Sequence, residues 1–239
     1  MATTPDPSRR SLLRSMAAGV CVALAPAASS AEETQIAVST ARVRAAASRW
    51  AGAACISVEL RDDEQRRVLR TGGNGPTYAL VHVPFKEGVI EADVAAEFTG
   101  LGAPESRGFV GLAFHIDVPA ETYEAVYLRM TNGRLNRPMP PAPRVDRAIQ
   151  YVAHPDLHYA VLRERFPGRY ERGADVALGQ WHHLRLEIGA ARVRVLVDGH
   201  EALAIDELRY PGREGAVGLF IDDGTRGYFR DLRIAEGVL

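Results

Sequence analysis

Two neighbouring segments alternate in side-chain character with a period of two residues: Gly108-Phe109-Val110-Gly111-Leu112-Ala113-Phe114-His115 and Tyr123-Glu124-Ala125-Val126-Tyr127-Leu128-Arg129-Met130. In each segment one set of alternate positions is apolar, as expected for a strand with one face in a core. The other set mixes small residues with aromatic and charged ones: Phe109, Gly111, Ala113, His115, Tyr123, Ala125, Tyr127 and Arg129. This pattern predicts a hairpin whose second face is the floor of a polar groove.

Short apolar runs separated by turn signals continue on both sides of the hairpin. The predicted strands are Cys55–Leu60, Arg67–Arg70, Tyr78–Val83, Gly88–Phe98, Gln180–Ile188, Ala191–Asp198, Glu201–Ile205, Ala216–Ile221 and Tyr228–Ile234. Asp198-Gly199 is a strong signal for a tight hairpin turn. About a dozen short strands joined by tight turns indicate an all-β sandwich or barrel.

A long insertion follows the central hairpin. Asn136–Arg144 contains four prolines, which cannot donate to a sheet ladder, so we expect an extended surface loop there. The polar and aromatic segment after it, Ala148–Glu171, is predicted to cover the groove.

The first 31 residues have the three parts of an export signal. Ser8–Arg14 carries paired arginines, Met16–Ala25 is apolar, and Ser29-Ser30-Ala31 offers small residues for cleavage. The apolar run is shorter than the roughly 20 residues that span a membrane. The segment therefore predicts twin-arginine export to the periplasm or medium, with no stable membrane insertion after the signal is removed. An exposed basic N-terminus is the alternative.

Three parts of the chain are predicted: the signal 1–31, an Ala-rich lead-in 32–53 that is helical around Thr40–Arg49, and one domain over 54–239. Cys55 is the one cysteine after the signal, so no internal disulfide can form. The whole chain has 29 basic and 30 acidic residues. This balance gives no electrostatic reason to expect nucleic-acid binding.

Several ordered segments resemble the concanavalin A-like lectin/glucanase jelly rolls. They are Gly88–Val94, Gly111–His115, Gln180–Arg185, Val193–Gly199 and Gly215–Ile234. That superfamily includes laminin-G-like modules and the 3-keto-disaccharide hydrolase group. The resemblance covers roughly residues 54–234 and implies an all-β jelly-roll sandwich of two antiparallel sheets. Lectins, hydrolases and adhesion modules share this fold, so it implies no single function.

A narrower resemblance is to secreted bacterial proteins of the same fold that have no assigned reaction. It is carried by Phe114-His115, Tyr123–Arg129, Gln150-Tyr151, Leu162-Arg163 and Phe166–Glu171.

The leading hypothesis is a carbohydrate-binding protein that holds a saccharide on a concave sheet face. A sugar site needs fixed hydrogen-bonding groups and aromatic surface. The candidate ligand-binding residues are Tyr127, Arg129, Asn132, Gln150, Tyr151, His154 and Arg163. Arg163 could instead stabilise the insertion through ion pairs, and Arg129 could pair with Glu124 or Asp146 at the surface.

Two other functions stay open. In a glycoside or 3-keto-glycoside hydrolase, His115 is the candidate acid or base, with Glu124 or Glu171 as its carboxylate partner. In a non-catalytic envelope module, the Pro-rich loop would contact another protein. Convergence of His115, Arg129, Gln150 and Glu171 on one concave pocket would support a functional site.

No metal site and no cofactor are predicted. Pro155 argues against a helical pair of ligands at His154 and His158, and His182-His183 point to opposite faces of a strand. Asp222-Asp223-Gly224 offers oxygen ligands for calcium, but the same residues make an ordinary turn. Calcium therefore remains an alternative, and the oligomeric state is not indicated.

Overall fold

Two antiparallel sheets form the part of the chain that the computed structural model describes, which is Met1 and residues 42–71 and 77–237. The strands are β1 (Val43–Trp50), β2 (Ala53–Leu60), β3 (Tyr78–Phe85), β4 (Gly88–Phe98), β5 (Phe109–Asp117), β6 (Thr122–Arg129), β7 (Ile149–His154), β8 (Glu171–Arg172), β9 (His182–Ile188), β10 (Val193–Val197), β11 (His200–Ile205), β12 (Gly215–Ile221) and β13 (Thr225–Glu236). The helices are α1 (Asp62–Thr71) and α2 (Tyr159–Arg165), with a 3-10 turn at Met130–Asn132.

The strand order confirms the predicted jelly-roll sandwich. The seven-stranded sheet runs β1-β2-β13-β4-β9-β10-β11 and the six-stranded sheet runs β3-β12-β5-β6-β7-β8. The chain passes repeatedly from one sheet to the other, and all named pairings are antiparallel. The predicted hairpin is the β5–β6 pair, in which Val110 lies opposite Leu128.

The inner faces of the two sheets meet in the core. Val110 and Ile221 of the six-stranded sheet point at Gly227 of β13, where an added methyl group would lie 3.2 and 2.5 Å from their Cγ2 atoms. The residues that share this face by register, such as Leu112 and Val126, are fully buried. The apolar alternation therefore identifies the core face correctly over these positions.

The prediction of a helix around Thr40–Arg49 is wrong over the residues that the structure describes. Val43–Trp50 is a strand that pairs with β2, and Ala51 and Gly52 make the connecting turn with φ angles of 47° and 80°. Positive φ at both positions is the geometry of a tight hairpin. Pairing with β2 overrides the helical preference of alanine, and the sheet begins at Val43, before the predicted domain boundary at residue 54.

The prediction of a strand at Arg67–Arg70 is also wrong, because these residues lie in α1. Asp62, Asp63 and Glu64 occupy the first turn and Arg70 the last, which suits the helix dipole. Gln65 anchors the helix by donating to the Asp223 carboxylate and accepting from the Gly224 N–H at 2.9 Å. This contact positions α1 beside the β12–β13 turn.

His115 does not lie on the predicted groove face. The β5–β6 register shifts after Phe114, and His115 has a φ of 51°. This β-bulge turns the ring to the inner face, where it meets Glu124. Gly215 makes room for the bulge, since a methyl group there would lie 2.6 Å from the His115 carbonyl carbon.

The predicted insertion contains both a loop and sheet structure. Residues 133–148 carry neither strand nor helix, as the prolines predict. The segment that was predicted to cover the groove is divided, because Ile149–His154 extends the six-stranded sheet as β7 and only the part around α2 covers the outer face.

No helix in the described residues is long and apolar enough to cross a membrane. Apart from Met1, the predicted export signal lies outside the described residues.

Candidate functional site

A cavity of about 880 Å³ lies on the outer face of the six-stranded sheet, where β5 begins and β6 ends. We call it the outer cavity. It is enclosed by α1, by α2 with the loop after β6, and by the β12–β13 turn. Its lining residues are Val68, Leu69, Ala103, Glu105, Arg107, Phe109, Tyr127, Arg129, Asn132, Arg144, Arg147, His158, Tyr159, Arg163, Asp222 and Asp223. Arginine is the most frequent residue type among them.

Arg129 lies at the base of the outer cavity, and its hydrogen bonds go to neutral groups. Its side chain is only about 5% exposed. The guanidinium donates to Gln150 Oε1 at 3.1 Å, to the Tyr127 hydroxyl at 3.3 Å and to the Arg147 carbonyl at 3.3 Å. Strand alternation places Tyr127 and Arg129 on the same face, and Gln150 lies opposite Tyr127 on β7. Sheet geometry therefore orients this cation.

One carboxylate, Glu171, is shared by three arginines. Arg163 binds it with two hydrogen bonds, Nε to Oε1 at 2.9 Å and Nη2 to Oε2 at 2.6 Å. Arg147 and Arg129 lie 3.3 and 3.6 Å away. Burial alone would raise the pKa of Glu171, but the hydrogen bonds and charge of Arg163, with the other two arginines, lower it below the ordinary value. Glu171 is therefore ionised and poorly suited to act as an acid.

Tyr159 supplies the exposed aromatic surface. It is the first residue of α2, and the residue is 43% exposed. The guanidinium carbons of Arg129 and Arg163 lie 5.4 and 5.3 Å from the ring centroid, within the range of cation–π attraction. The helix thus places an aromatic ring beside the fixed cations.

Asp222 and Asp223 in the β12–β13 turn have different environments. The carboxylate of Asp223 accepts from Gln65 and from the Ala103 N–H at 2.9 Å, so it is used by the fold. The carboxyl of Asp222 accepts only the Asp223 N–H at 2.7 Å among the described contacts. Burial raises the pKa of Asp222 to about 6, although that hydrogen bond and the charge of Arg129 oppose the rise.

Asn132 and two further arginines complete the cavity. Asn132 is buried, donates to the Arg147 carbonyl at 3.0 Å and accepts from Arg144 Nε at 3.2 Å. Arg107, on the connection before β5, donates through Nη1 to two backbone carbonyls of its own loop. These groups belong to connections that are distant in the chain and close in space.

His115 and Glu124 lie elsewhere, fully buried between the sheets. His115 Nδ1 contacts Glu124 Oε2 at 2.7 Å, and Tyr151 donates its hydroxyl proton to Glu124 Oε1 at 2.5 Å. Neither His115, Glu124 nor Tyr151 lines the outer cavity. Of the four residues expected to converge on one pocket, Arg129 lines the outer cavity, Gln150 and Glu171 contact Arg129 without lining it, and His115 lies elsewhere. The catalytic role of His115 and Glu124 remains a sequence-based prediction. In this geometry the two side chains do not reach the outer cavity.

His154 is half-buried on the outer face, and it does not line the cavity. Its ring stacks on Tyr123 with centroids 5.1 Å apart. Burial lowers the pKa of His154, and the charge of neighbouring His158 lowers it further. Gln150 does not line the cavity either, and it contributes to the site by orienting Arg129. Among the predicted ligand-binding residues, Tyr127, Arg129, Asn132 and Arg163 line the cavity themselves.

Within the described residues, no group of three His, Cys, Asp or Glu side chains is placed to hold a metal ion. At the turn considered for calcium, both Asp223 oxygens already accept hydrogen bonds. The geometry there is that of a structural turn, in which Asp222 accepts one hydrogen bond, from the Asp223 N–H.

Sequence reasoning missed several cavity residues: Arg107, Arg144, Arg147, Tyr159 and the cavity position of Asp222. One usable signal was present, because Tyr159 and Arg163 are four residues apart and share a helix face. Arg107, Arg144 and Asp222 come from three separate connections, and no local pattern indicates that they meet.

The fold and the cavity define this chain as an antiparallel jelly-roll sandwich with an arginine-rich cavity on the outer face of one sheet. No protein-family model and no curated protein sequence matches it.

Solved structures show similar architecture at low identity. The carbohydrate-binding module CBM66 from Bacillus subtilis is 13% identical with a TM-score of 0.49, covering 80% of this chain and 92% of that one. A Bacillus subtilis protein with a galectin-like fold is 12% identical with a TM-score of 0.45, covering 80% and 86%. A β-1,3-1,4-glucanase (lichenase) derived from a mouse hindgut metagenome is 11% identical with a TM-score of 0.39, covering 65% and 68%. None is close enough to transfer a ligand or a reaction to this chain.

Proposed function

We propose that this protein binds a saccharide in the outer cavity. The observation that carries the proposal is the position of Arg129, whose guanidinium is fixed by Gln150 and Tyr127 beside the exposed ring of Tyr159. Saccharides present hydroxyls that need oriented donors and acceptors, and ring faces that pack on aromatic side chains. Both kinds of group are present on one open surface.

The size and preorganisation of the cavity support the same conclusion. Its volume of about 880 Å³ is in the range of small-ligand sites. Asn132 and Arg129 are buried and hydrogen-bonded before any ligand arrives, so little ordering is needed on binding. Asp222 adds an acceptor, its Oδ2 atom, to which no donor in the described residues bonds.

Tyr159→Ala tests the proposal better than removal of Arg129. Loss of the buried Arg129 would leave its neutral partners unpaired and would destabilise the fold as well as the site. Tyr159 is exposed, so its truncation should leave the unfolding temperature nearly unchanged. Titration calorimetry with saccharides that bind the wild-type chain in a glycan-array screen should show affinity at least about tenfold weaker for Tyr159→Ala.

Phe166→Ala is the matched control. Phe166 is similarly exposed at 39%, but it packs on Tyr170 and Arg169 and does not line the outer cavity. Saccharide affinity should be unchanged in this variant. Equal losses in the two variants would place the binding elsewhere, and failure of every saccharide to bind would reject the proposal. Recovery of a protein partner in the second case would support the envelope-module hypothesis.

Asp222 favours a second function, hydrolysis of a glycosidic bond. A carboxyl whose pKa is raised to about 6 by burial can hold a proton near neutral pH and deliver it to the leaving glycosidic oxygen, while water attacks the anomeric carbon and replaces that oxygen. Aryl glycosides and 3-keto-glycosides should then be turned over by the wild-type chain and not by Asp222→Asn. Binding without turnover at high enzyme loading would remove the hydrolase and leave the binding protein.

We also propose that binding occurs outside the cytoplasm, after twin-arginine export. The support is the motif around Arg9 and Arg10, with the apolar run that follows it. Replacing both arginines with lysine should retain the chain in the cytoplasm in a fractionation experiment. Unchanged export of that variant would contradict the route.

A further inference from the structure

The arginines of the outer cavity divide into two groups with different partners. Arg129, Arg147 and Arg163 surround Glu171 within 4 Å. Arg107 and Arg144 have no carboxylate within that distance in the described part of the chain. Their acceptors are neutral oxygens: the Pro104 and Ser106 carbonyls for Arg107, and Asn132 Oδ1, the Thr131 carbonyl and the Thr131 hydroxyl for Arg144.

The two arginines without a carboxylate partner lie on the same side of the cavity. The Thr131 carbonyl accepts from Arg144 Nη2 at 3.3 Å, and the Thr131 hydroxyl donates to the Arg107 carbonyl at 3.3 Å. Both side chains line the cavity. The backbone of Arg107 is held by the 3-10 turn after β6, because the Thr131 N–H also donates to the Arg107 carbonyl.

The neutral bonds leave part of each guanidinium unused. The bonds of Arg107 to the two carbonyls both come from Nη1, at 2.9 and 2.8 Å, so Nε and Nη2 have no described acceptor. Arg144 bonds through Nε and Nη2, which leaves Nη1. Planar guanidinium donors of this kind match the oxygens of a carboxylate or a sulfate.

The proximity of the two positive charges of Arg107 and Arg144 does not stabilise the fold. Burial lowers the pKa of Arg107, and the charges of Arg144 and Arg129 lower it further, while exposed Glu105 acts in the opposite direction. Two cations are thus kept together without a fixed counter-charge, beside a cavity that is open to a ligand.

We propose that Arg107 and Arg144 form an oxyanion subsite, so that the saccharide bound in the outer cavity is an acidic one. The inference rests on the proposed saccharide-binding function and specifies its ligand class. A uronic acid carboxylate and a sulfate ester present the same oxyanion chemistry, and both fit the unused donors. The ring of the sugar then lies toward Tyr159 and Arg129.

The test compares ligands that differ only in charge. Oligomers of galacturonate, glucuronate, mannuronate and guluronate are titrated into the full chain by calorimetry, beside the same oligomers as neutral methyl esters. Sulfated galactan oligomers and unsulfated galactan form a second pair. We expect the acidic member of at least one pair to bind about tenfold or more tightly than its neutral partner, with affinity that falls as salt is added.

Arg107→Gln and Arg144→Gln should each weaken binding of the acidic ligand about tenfold to a hundredfold and leave the neutral ligand unaffected. Arg137→Gln is the matched control. Arg137 lies in the same insertion, is exposed, and also donates to backbone carbonyls, those of Arg134 and Asn136, but it does not line the cavity. Its replacement should change neither affinity nor salt dependence.

The outcomes separate the two proposals. Equal binding of acidic and neutral oligomers, with loss of both in Tyr159→Ala, overturns the oxyanion subsite and keeps saccharide binding. Selective binding of a uronate or of a sulfated oligomer supports the subsite and identifies which source of the oxyanion it accepts. Absence of binding by every saccharide, charged or neutral, overturns both. An equal loss in Arg137→Gln would show that the effect is only one of net charge.

Discussion

The strand β6 carries two polar networks, one on each face, and they differ in whether the fold uses all of their hydrogen-bonding groups. On the inner face, Glu124 contacts His115, Tyr151 and the Arg209 N–H. On the outer face, Arg129 contacts Tyr127, Gln150 and Glu171, and Tyr127 and Arg129 line the outer cavity. The inner network is closed to solvent and the outer one is open.

The hydrogen bonds of the inner network show how complete its pairing is. The Lys86 carbonyl can only accept, so His115 Nε2, at 2.9 Å, carries a proton. His115 Nδ1 lies 2.7 Å from Glu124 Oε2. The other Glu124 oxygen accepts from Tyr151 and Arg209. No donor or acceptor of this pair is left for a ligand, so the network serves the fold.

The largest effect is expected from Glu124→Ala. This variant leaves His115, Tyr151 and the Arg209 N–H without their shared acceptor in a fully buried position, and should lower the free energy of unfolding by about 3–5 kcal/mol. Urea denaturation measures the loss. Saccharide affinity, corrected for the folded fraction, should stay at the wild-type value.

Tyr151→Phe is the milder control for the inner network. It removes one hydroxyl and keeps the ring, so we expect a loss of about 1 kcal/mol. The distinction between the networks fails if Glu124→Ala leaves stability unchanged and weakens binding, since the inner network would then act on the ligand.

The two faces of β6 could be predicted from the sequence because strands keep a period of two residues. Val126 and Leu128 face the core and Tyr127 and Arg129 face outward, as predicted. The same rule failed at His115, because the β-bulge depends on a distant neighbour. Gly215 lacks a side chain and so leaves space for the bulge. The period-two rule considers only residues within one strand and does not take Gly215 into account.

The composition of the cavity was harder to predict for a similar reason. Tyr127, Arg129 and Asn132 belong to one hairpin and its following turn, so they were accessible to local reasoning. Asp222 joins them only because β12 pairs with β5 in the six-stranded sheet. Strand order is a long-range property, and period-two patterns do not contain it.

A smaller effect of opposite sign is expected from Asp222→Asn. The folded pKa of Asp222, about 6, lies above the ordinary value of 3.8. The ionised carboxyl therefore costs stability as pH rises through this interval, and the full cost applies above it. Denaturation at pH 7.5 should show a gain of about 1–3 kcal/mol for the variant, and denaturation below pH 4 should show none.

Asp223→Asn is the matched comparison in the same turn. It replaces an oxygen that accepts from Gln65 or from Ala103 N–H with a donor, and should cost about 1–3 kcal/mol at both pH values. Equal and negative effects at the two positions would mean that Asp222 also serves the fold. The Asp222 carboxyl would then not be available to a ligand in the outer cavity.

The smallest effect is expected from Arg163→Lys in the open network. Lysine keeps the positive charge but cannot form the two parallel bonds to Glu171. Because Arg129 and Arg147 also approach that carboxylate, the loss of unfolding free energy at pH 7 should be below about 1 kcal/mol.

The pH dependence makes this last prediction more specific. The folded pKa of Glu171 is lowered, so its contribution to stability is present above the unfolded pKa and is lost as pH falls through the folded pKa. In Arg163→Lys the folded pKa should move up toward its ordinary value, so the acid-induced loss should be smaller and should be complete at a higher pH in denaturation series. In the outer network three arginines share one carboxylate, so the change of one arginine should cost little stability. In the inner network no other group can replace the Glu124 carboxylate. A loss in Arg163→Lys as large as that in Glu124→Ala would remove this distinction and make both networks structural.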